Sequence, residues 1–373
     1  MIQKIPFVDL QAQYKELKKE INSAVSEVVQ NTQFIQGEAV ADFEERYAAY
    51  IGAKYCVGLN SGTDALILGI RALDFKEGEI IVPVNTYYSG ALAVIENNLK
   101  VVFVDVDEKD FGINLDDLKR KITKKTKAIL VTHLYGQSDK ISEIQNIIKK
   151  VYNNILLIED ACQSHGAYYK KKKVGTYGAF SAFSFYPGKN LGAYGDAGAL
   201  TTNDSTLVKK LKLLREYGQE KKYIHTSIGV NSRLDTIHAA VLLAKLPHLD
   251  SWNKNRQQLA EYYTELLRKK VPFVKTPNTF SERQSVYHLY VVRVPKRDQL
   301  LAHLLNNKIF AQMHYPLPLH LQKAFSFLGY KKGDFPIAEE ISSEIISLPI
   351  YPQMTKAMVA RVVDTIKKFY KKA

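Results

Sequence analysis

Lys189 stands in the run Ser184-Phe185-Tyr186-Pro187-Gly188-Lys189-Asn190-Leu191-Gly192, after an apolar stretch and in a loop too rich in glycine to be a solvated charged face. A lysine held in such a setting can have its amine pKa lowered and form a Schiff base; the plain alternative is a surface lysine on a turn. Upstream, Ile155-Leu156-Leu157-Ile158-Glu159-Asp160 closes a buried-looking stretch with two carboxylates, followed by Cys162, Gln163, Ser164 and His165. An acid there can hold a cationic ring nitrogen, or simply cap the next turn. Further upstream, Asn60-Ser61-Gly62-Thr63-Asp64-Ala65-Leu66 opens an apolar helix. Small and hydroxyl residues at a helix start expose backbone N–H groups and the positive end of the dipole, which suits a phosphate. Taken alone, Ser61 or Thr63 is more readily an ordinary N-cap.

Each feature is weak by itself, but together they follow the order phosphate cradle, acid, lysine. That is the set a pyridoxal phosphate enzyme requires: an amine for the cofactor aldehyde, and a carboxylate that keeps the pyridine nitrogen protonated so that the ring accepts electrons. An aromatic ring to stack on the cofactor is available in Asn85-Thr86-Tyr87-Tyr88.

Competing chemistries are poorly served. The nine histidines are scattered, and His314 and His320, six positions apart, lack helical i, i+4 spacing or an acidic companion, so no metal site is expected. Gly188-Lys189-Asn190 lacks the Ser/Thr and the upstream glycine of a nucleotide-triphosphate loop, and Gly192, Gly195 and Gly198 are not spaced as a dinucleotide fingerprint. The formal charge of +14 permits an anionic partner, yet the basic runs 119–127 and 170–173 come with no nucleic-acid module. Cys56 and Cys162 form no knuckle or disulfide framework, which fits a reducing, cytoplasmic setting. Residues 1–10 contain no apolar leader segment, and no stretch is long and apolar enough to span a membrane.

These residues need a scaffold, and the hydrophobic pattern supplies one. At 373 residues the chain has room for two domains. Leu10, Tyr14, Leu17, Ile21, Val25 and Val28 recur at helical steps after Asp9, a candidate N-cap. From residue 54, short β-rich runs at 55–59, 80–84, 101–104, 128–132 and 155–158 alternate with helical ones, which predicts a mostly parallel sheet between helices. Runs at 179–185 and 197–202 read as two further strands joined by the Gly-rich loop, so the alternation breaks there. Each candidate site then lies at or near a strand end, where open α/β sheets place their ligands. Helices are expected at 205–217 and 235–246, with a long one from about 252. The predicted division is a large cofactor-binding domain, 1–250, and a small α+β domain, 251–373, with one clear strand at 289–294 and helices near 299–306 and 356–369.

The same stretches resemble the sugar aminotransferases of the DegT/DnrJ/EryC/StrS family across nearly the whole chain. The resemblance rests on Phe7-Val8-Asp9-Leu10, Gly62-Thr63-Asp64-Ala65-Leu66, Glu159-Asp160-Ala161-Cys162-Gln163, Ser184 to Gly198, Gly229-Val230-Asn231-Ser232-Arg233-Leu234-Asp235 and His314-Tyr315-Pro316-Leu317-Pro318-Leu319-His320. It implies an α/β fold of the fold-type I aspartate aminotransferase kind and pyridoxal 5'-phosphate as cofactor. Lys189 would carry the Schiff base, Asp160 pair with the pyridine nitrogen, and Gln163 bond the phenolic oxygen. Gly62, Thr63 and Ser184 would hold the phosphate and Tyr87, or its neighbour Tyr88, stack on the ring. Asn231 would reach the phosphate of a partner subunit, implying a homodimer with shared sites. Tyr186, Tyr217, His314 and Tyr315 would surround the sugar. Lys189-Asn190-Leu191-Gly192-Ala193-Tyr194-Gly195-Asp196-Ala197-Gly198 is similar to the loop of the carbon 3 branch, with Ala197 in place of the usual glycine. The expected reaction moves an amino group from glutamate to a nucleotide-linked, by expectation dTDP-linked, 3-keto-6-deoxyhexose. The alternatives are a 4-keto-sugar aminotransferase and a non-catalytic, cofactor-binding regulator.

Overall fold

The computed structural model describes residues 3–152 and 154–372. Seven strands, β1 (Tyr55–Leu59), β2 (Glu79–Pro83), β3 (Lys100–Val104), β4 (Thr126–Thr132), β5 (Leu156–Asp160), β6 (Phe180–Ser184) and β7 (Gly198–Thr202), form one sheet in the order β1-β7-β6-β5-β4-β2-β3. Strand β7 runs antiparallel to both of its neighbours, while the remaining pairs are parallel. The reason is local. No helix separates β6 from β7, only the loop that carries Lys189, so the chain turns back on itself instead of crossing over.

The predicted strands correspond to the observed ones with ends shifted by up to two residues. The most consequential shift is in β5, which continues through Glu159 and Asp160, so that Asp160 pairs with Thr132 on one side and Ala182 on the other. Side chains alternate across a sheet, and the two adjacent carboxylates therefore enter opposite layers. On one face the helix Glu38–Ile51 packs Phe43 and Tyr47 against Leu157, Phe183 and Phe185. On the other, the helix Gly62–Ala72 packs Leu66 and Leu68 with Ile158, Phe180 and Leu200.

The helix Leu10–Asn31 starts as expected: Asp9 caps it, accepting from the Ala12 N–H at 2.9 Å. Its buried Leu17 and Ile21 meet Val241 and Trp252. Trp252 lies in the first turn of the long helix Leu249–Lys270, whose later residues Leu259, Tyr263 and Leu267 join a separate core with Tyr290, Val292, Ile346, Val362 and Ile366. Ile5 belongs to this core too, through hydrogen bonds with Lys308 and Phe310. This region holds two antiparallel strands, β8 (Tyr290–Arg293) and β9 (Ile345–Leu348), where the pattern predicts one. Strand β9 escapes the sequence reading because the helix Pro336–Glu344 runs directly into it with no Gly or Pro between, so Ile341, Ile345 and Ile346 read as one more helical turn. Among the described residues no helix is long and apolar enough to cross a membrane.

Candidate active site

The site lies over the C-terminal ends of β5 and β6 and is closed from one side by the start of the helix Gly62–Ala72. Ser61 caps that helix, its Oγ accepting from the Asp64 N–H at 3.0 Å. The N–H groups of Gly62 and Thr63 are in the first turn, where no intrahelical acceptor exists. A Cβ on Gly62 would lie 2.7 Å from both Cys162 Sγ and Ser184 Cβ, so only glycine allows the helix start to rest on β6 and the segment after β5. Gly198 of β7 is equally tight, with its imagined Cβ 2.2 Å from the Ser61 carbonyl carbon. Thr63 Oγ1 lies 2.7 Å from Ser89 Oγ. Gly62, Thr63 and Ser184 thus form one small, donor-rich cradle.

Of the two carboxylates, Asp160 faces this cradle's layer and Glu159 does not. Glu159 is fully buried on the opposite face, accepting from the N–H groups of Gly175, Tyr177 and Gly178 at 2.8 Å, from Ser181 Oγ at 2.7 Å and from His133 Nε2 at 3.0 Å. His133 Nδ1 accepts from the Asp139 N–H, which leaves the ring proton on Nε2 for Glu159. Burial alone would raise the Glu159 pKa; these donors outweigh it and hold the carboxyl below its ordinary range. Glu159 is a structural anchor for the segment leading into β6. Asp160 takes only the Cys162 N–H on Oδ1, at 3.1 Å, and its Oδ2 has no hydrogen bond among the described residues.

Lys189 follows a tight turn closed by its own N–H to the Tyr186 carbonyl. Burial lowers its amine pKa, while Cys162 and Asp160 act in the opposite direction. Its Nζ has no hydrogen-bond partner among the described residues. The neighbouring Cys162 thiol is pushed well up, by burial and then by Asp160, and stays protonated, leaving the lysine as the nucleophile.

An aromatic wall completes the pocket. Gln163 accepts from the Tyr135 N–H and donates to Tyr315 Oη, both at 2.8 Å. The Tyr135 and Tyr315 rings stack 6.2 Å apart, and Tyr87 lies 6.3 Å from Tyr315. Tyr88 goes elsewhere, packing on Phe325 at 5.1 Å. His314 is fixed by Ser347 Oγ at 2.8 Å and by stacking on Phe7; burial, then Lys189, pushes its pKa down to about 4. Tyr186 is exposed at the rim.

Tyr217 and Asn231 are not part of this cluster. Both are exposed and adjoin each other, the Tyr217 N–H donating to the Val230 carbonyl. They flank a small hairpin, Gln219–Lys221 with Ile224–His225, that leaves Tyr223, Ile224 and Ile228 in solvent. The next residue, Ser232, is buried and joins the loop to the cradle helix by donating to Asp64 Oδ2 at 2.7 Å.

Sequence reasoning passed over Tyr135, His288 and Asn253 and gave His165 no role. His165 could have been found, since it stands in the run that follows Asp160. Nothing local marks Asn253, which arrives from the far end of the chain.

The pocket fits a pyridine aldehyde phosphate: a cradle that a Cβ would fill, a carboxylate oxygen left open, and a half-buried amine with no hydrogen-bond partner among the described residues. Residues 15–367 match the model of the DegT/DnrJ/EryC1/StrS aminotransferase family. The chain belongs to this family. A relative from Aneurinibacillus thermoaerophilus, "dTDP-3-amino-3,6-dideoxy-alpha-D-galactopyranose transaminase", is 46% identical over 98% of this chain and 99% of its own. Another, from Geobacillus stearothermophilus, named "Pleiotropic regulatory protein", is 41% identical with the same coverage. Among solved structures, Streptomyces venezuelae DesV in complex with a ketimine intermediate superposes with a TM-score of 0.95 at 38% identity, covering 99% of both chains. NtdA from Bacillus subtilis, solved with bound cofactor PMP, gives 0.90 at 27% identity, covering 99% of this chain and 86% of that one. This family member is an aminotransferase of the α/β class inferred from its sequence.

Proposed function

We propose that this aminotransferase takes an amino group from glutamate and delivers it to carbon 3 of a nucleotide-linked 3-keto-6-deoxyhexose, dTDP-linked by preference, working in the cytoplasm as a homodimer. The observation that carries the reading is the half-buried Lys189 beside Asp160 and the Gly62 cradle in a chain of this family. The name of the A. thermoaerophilus relative and the loop 189–198 support carbon 3.

Pyridoxal 5'-phosphate, when bound, supplies an aldehyde that takes up amines and a ring that accepts the electrons released at the substrate carbon. The residues do the rest. Gly62 and Thr63 N–H groups with Ser184 hold the phosphate at the helix start. The Asp160 carboxylate keeps a proton on the ring nitrogen, and Tyr87 covers the ring. Gln163, already fixed by Tyr135 and Tyr315, has one amide hydrogen left for the phenolic oxygen. Lys189 would hold the cofactor through its amine and, when that amine is free, would serve as the general base and acid that moves a proton at the substrate carbon. Tyr186, His314 and Tyr315 surround the sugar, with His314 neutral and able to accept as well as donate. Asn231 and Tyr217, on the exposed loop with its bare apolar hairpin, serve the site of a second subunit.

The test is to convert the purified protein to its aminated form with glutamate, then add matched 3-keto and 4-keto nucleotide sugars and follow the return of the aldehyde-form absorbance. Return with the 3-keto sugar is expected. Return only with the 4-keto sugar would keep the chemistry and overturn the regiochemistry. The name of the G. stearothermophilus relative favours a second reading, a cofactor-binding regulator, which predicts binding without either half-reaction.

A further inference from the structure

Ser184 at the phosphate and Lys189 at the aldehyde are to hold one cofactor, yet the chain between them is an irregular turn that neither sheet nor helix shapes. Both ends of that turn are tied instead to one residue. His165 is fully buried, and its Nε2 lies 2.8 Å from the Ser184 carbonyl, which can only accept, so Nε2 carries the hydrogen and Nδ1 takes the hydroxyl hydrogen of Tyr47 at 2.7 Å. The His165 carbonyl accepts from Asn253 Nδ2 at 2.8 Å, and Asn253 Oδ1 accepts from Asn190 Nδ2 at 2.8 Å. Asn190, next to Lys189, also donates to the Val286 carbonyl at 3.1 Å, and its Oδ1 lies 3.2 Å from His288 Nδ1.

The series from Tyr47 through His165 and Asn253 to Asn190 is shut away from water, Tyr47 and His165 completely, Asn190 and Asn253 to 2% and 5% exposure. Desolvated donors and acceptors carry a cost when left unmet, so each of these bonds holds its neighbours in place. The backbone makes room for the tie. At Gly166, where φ is +86°, a Cβ would lie 3.0 Å from Asn253 Nδ2 and closer still to Tyr50 Oη, so glycine lets the helix Leu249–Lys270 reach the His165 carbonyl.

We propose that His165 and Asn253 are positioning residues that fix the distance between Ser184 and Lys189, so that a ligand held at its phosphate presents its aldehyde to the amine. The role rests on Ser184 and Lys189 being the two cofactor anchors. Once one anchor is engaged, a fixed spacing gives the ligand a high effective concentration of the other. Letting the spacing drift lowers that concentration and leaves each anchor, taken singly, as strong as before.

Three ligands of the apo-protein test this without turnover. Pyridoxine 5'-phosphate engages only the cradle, pyridoxal only the amine, and pyridoxal 5'-phosphate both, each aldehyde condensing with the amine and releasing water. Asn253→Leu cuts the tie between His165 and Asn190. Fluorescence and absorbance titrations are expected to show its Kd for pyridoxal 5'-phosphate raised about tenfold, one hydrogen bond's worth, with each singly anchored ligand within about twofold of the unmodified protein. Tyr263→Phe, which removes a buried bond from the same helix to the Pro349 carbonyl, is expected to change none of the three. Equal weakening of all three ligands by Asn253→Leu, or of none, overturns the proposal. If Asn253→Leu does not fold, Tyr47→Phe, which frees the His165 ring and with it Ser184, decides by the same three titrations. If pyridoxal 5'-phosphate binds the unmodified protein no more tightly than either singly anchored ligand, the assignment of Ser184 and Lys189 as anchors falls instead.

Discussion

Replacing Gly62 with alanine tests the cradle most directly. The added Cβ would lie 2.7 Å from Cys162 Sγ and from Ser184 Cβ, 0.7 Å inside the 3.4 Å at which ordinary contact begins. Ser184 Cβ is a β6 side chain at its root and cannot swing away, and Cys162 Sγ would have to leave its contact with the Ala182 carbonyl at 3.7 Å to do so. The helix start must therefore retreat, carrying the Gly62 and Thr63 N–H groups off the phosphate position. Overpacking of this kind costs about 1–3 kcal/mol. Part is returned in global stability, because alanine restricts the unfolded chain by roughly 0.4–1 kcal/mol relative to glycine. The loss should thus be concentrated in ligand affinity, a rise in Kd of roughly 5- to 150-fold. Fluorescence titration of the apo-protein with pyridoxine 5'-phosphate measures it, with Gly90→Ala as control, where the nearest atoms are 3.5 Å away. If Gly62→Ala binds within twofold of the unmodified protein and Gly90→Ala behaves alike, the close approach is irrelevant to binding and the cradle assignment is wrong.

The adjacent carboxylates should separate cleanly. Asp160→Asn is expected to lower kcat about 10²–10³-fold, the scale of losing a preorganised electrostatic group, with its melting temperature nearly unchanged. Glu159→Gln should instead destabilise, at roughly 1–3 kcal/mol per donor left unpaired; the reverse assignment of effects in melts and kinetics would show that the faces of β5 are misjudged. His165 gives a pH signature. Burial, with help from Lys189, puts its pKa at about 3, against 6.5 unfolded. The unfolded chain binds the extra proton between those values, so stability is full above pH 6.5 and falls by about 1.4 kcal/mol per unit below it. In urea titrations the gap between the unmodified protein and His165→Gln should narrow by about 2 kcal/mol from pH 7 to pH 5; a constant gap would mean that the ring is not held neutral. Finally, Ile228, 89% exposed in the single chain, should lie in the subunit contact. Ile228→Lys is expected to shift sedimentation toward the monomer, and an unchanged dimer would move the interface elsewhere.

Local pattern was enough for much of this protein. Strands β1 to β8 are short, largely apolar runs, the helix after Asp9 announces its own cap, and Lys189, Asp160 and the Gly62 turn stand out because their types are unusual where they stand. These signals survive in one dimension because each depends on neighbours within a few residues. Strand β9 did not survive, because nothing punctuates the join between it and the preceding helix. Glu159 and Asp160 look interchangeable as letters, and it took the pairing of β5 with β4 and β6 to turn one into the dry side of the sheet and leave the other open to the pocket. Tyr87 and Tyr88 parted in the same way, one toward Tyr315 and the other onto Phe325. The Asn253–Asn190–His288 series was beyond local reading altogether. Its members lie 63 and 98 positions from Asn190 along the chain, and a hydrogen bond between distant segments has no periodicity to betray it. Only packing the helix Leu249–Lys270 beneath the lysine loop brings those amides within reach, and desolvation there obliges each of them to find its partner.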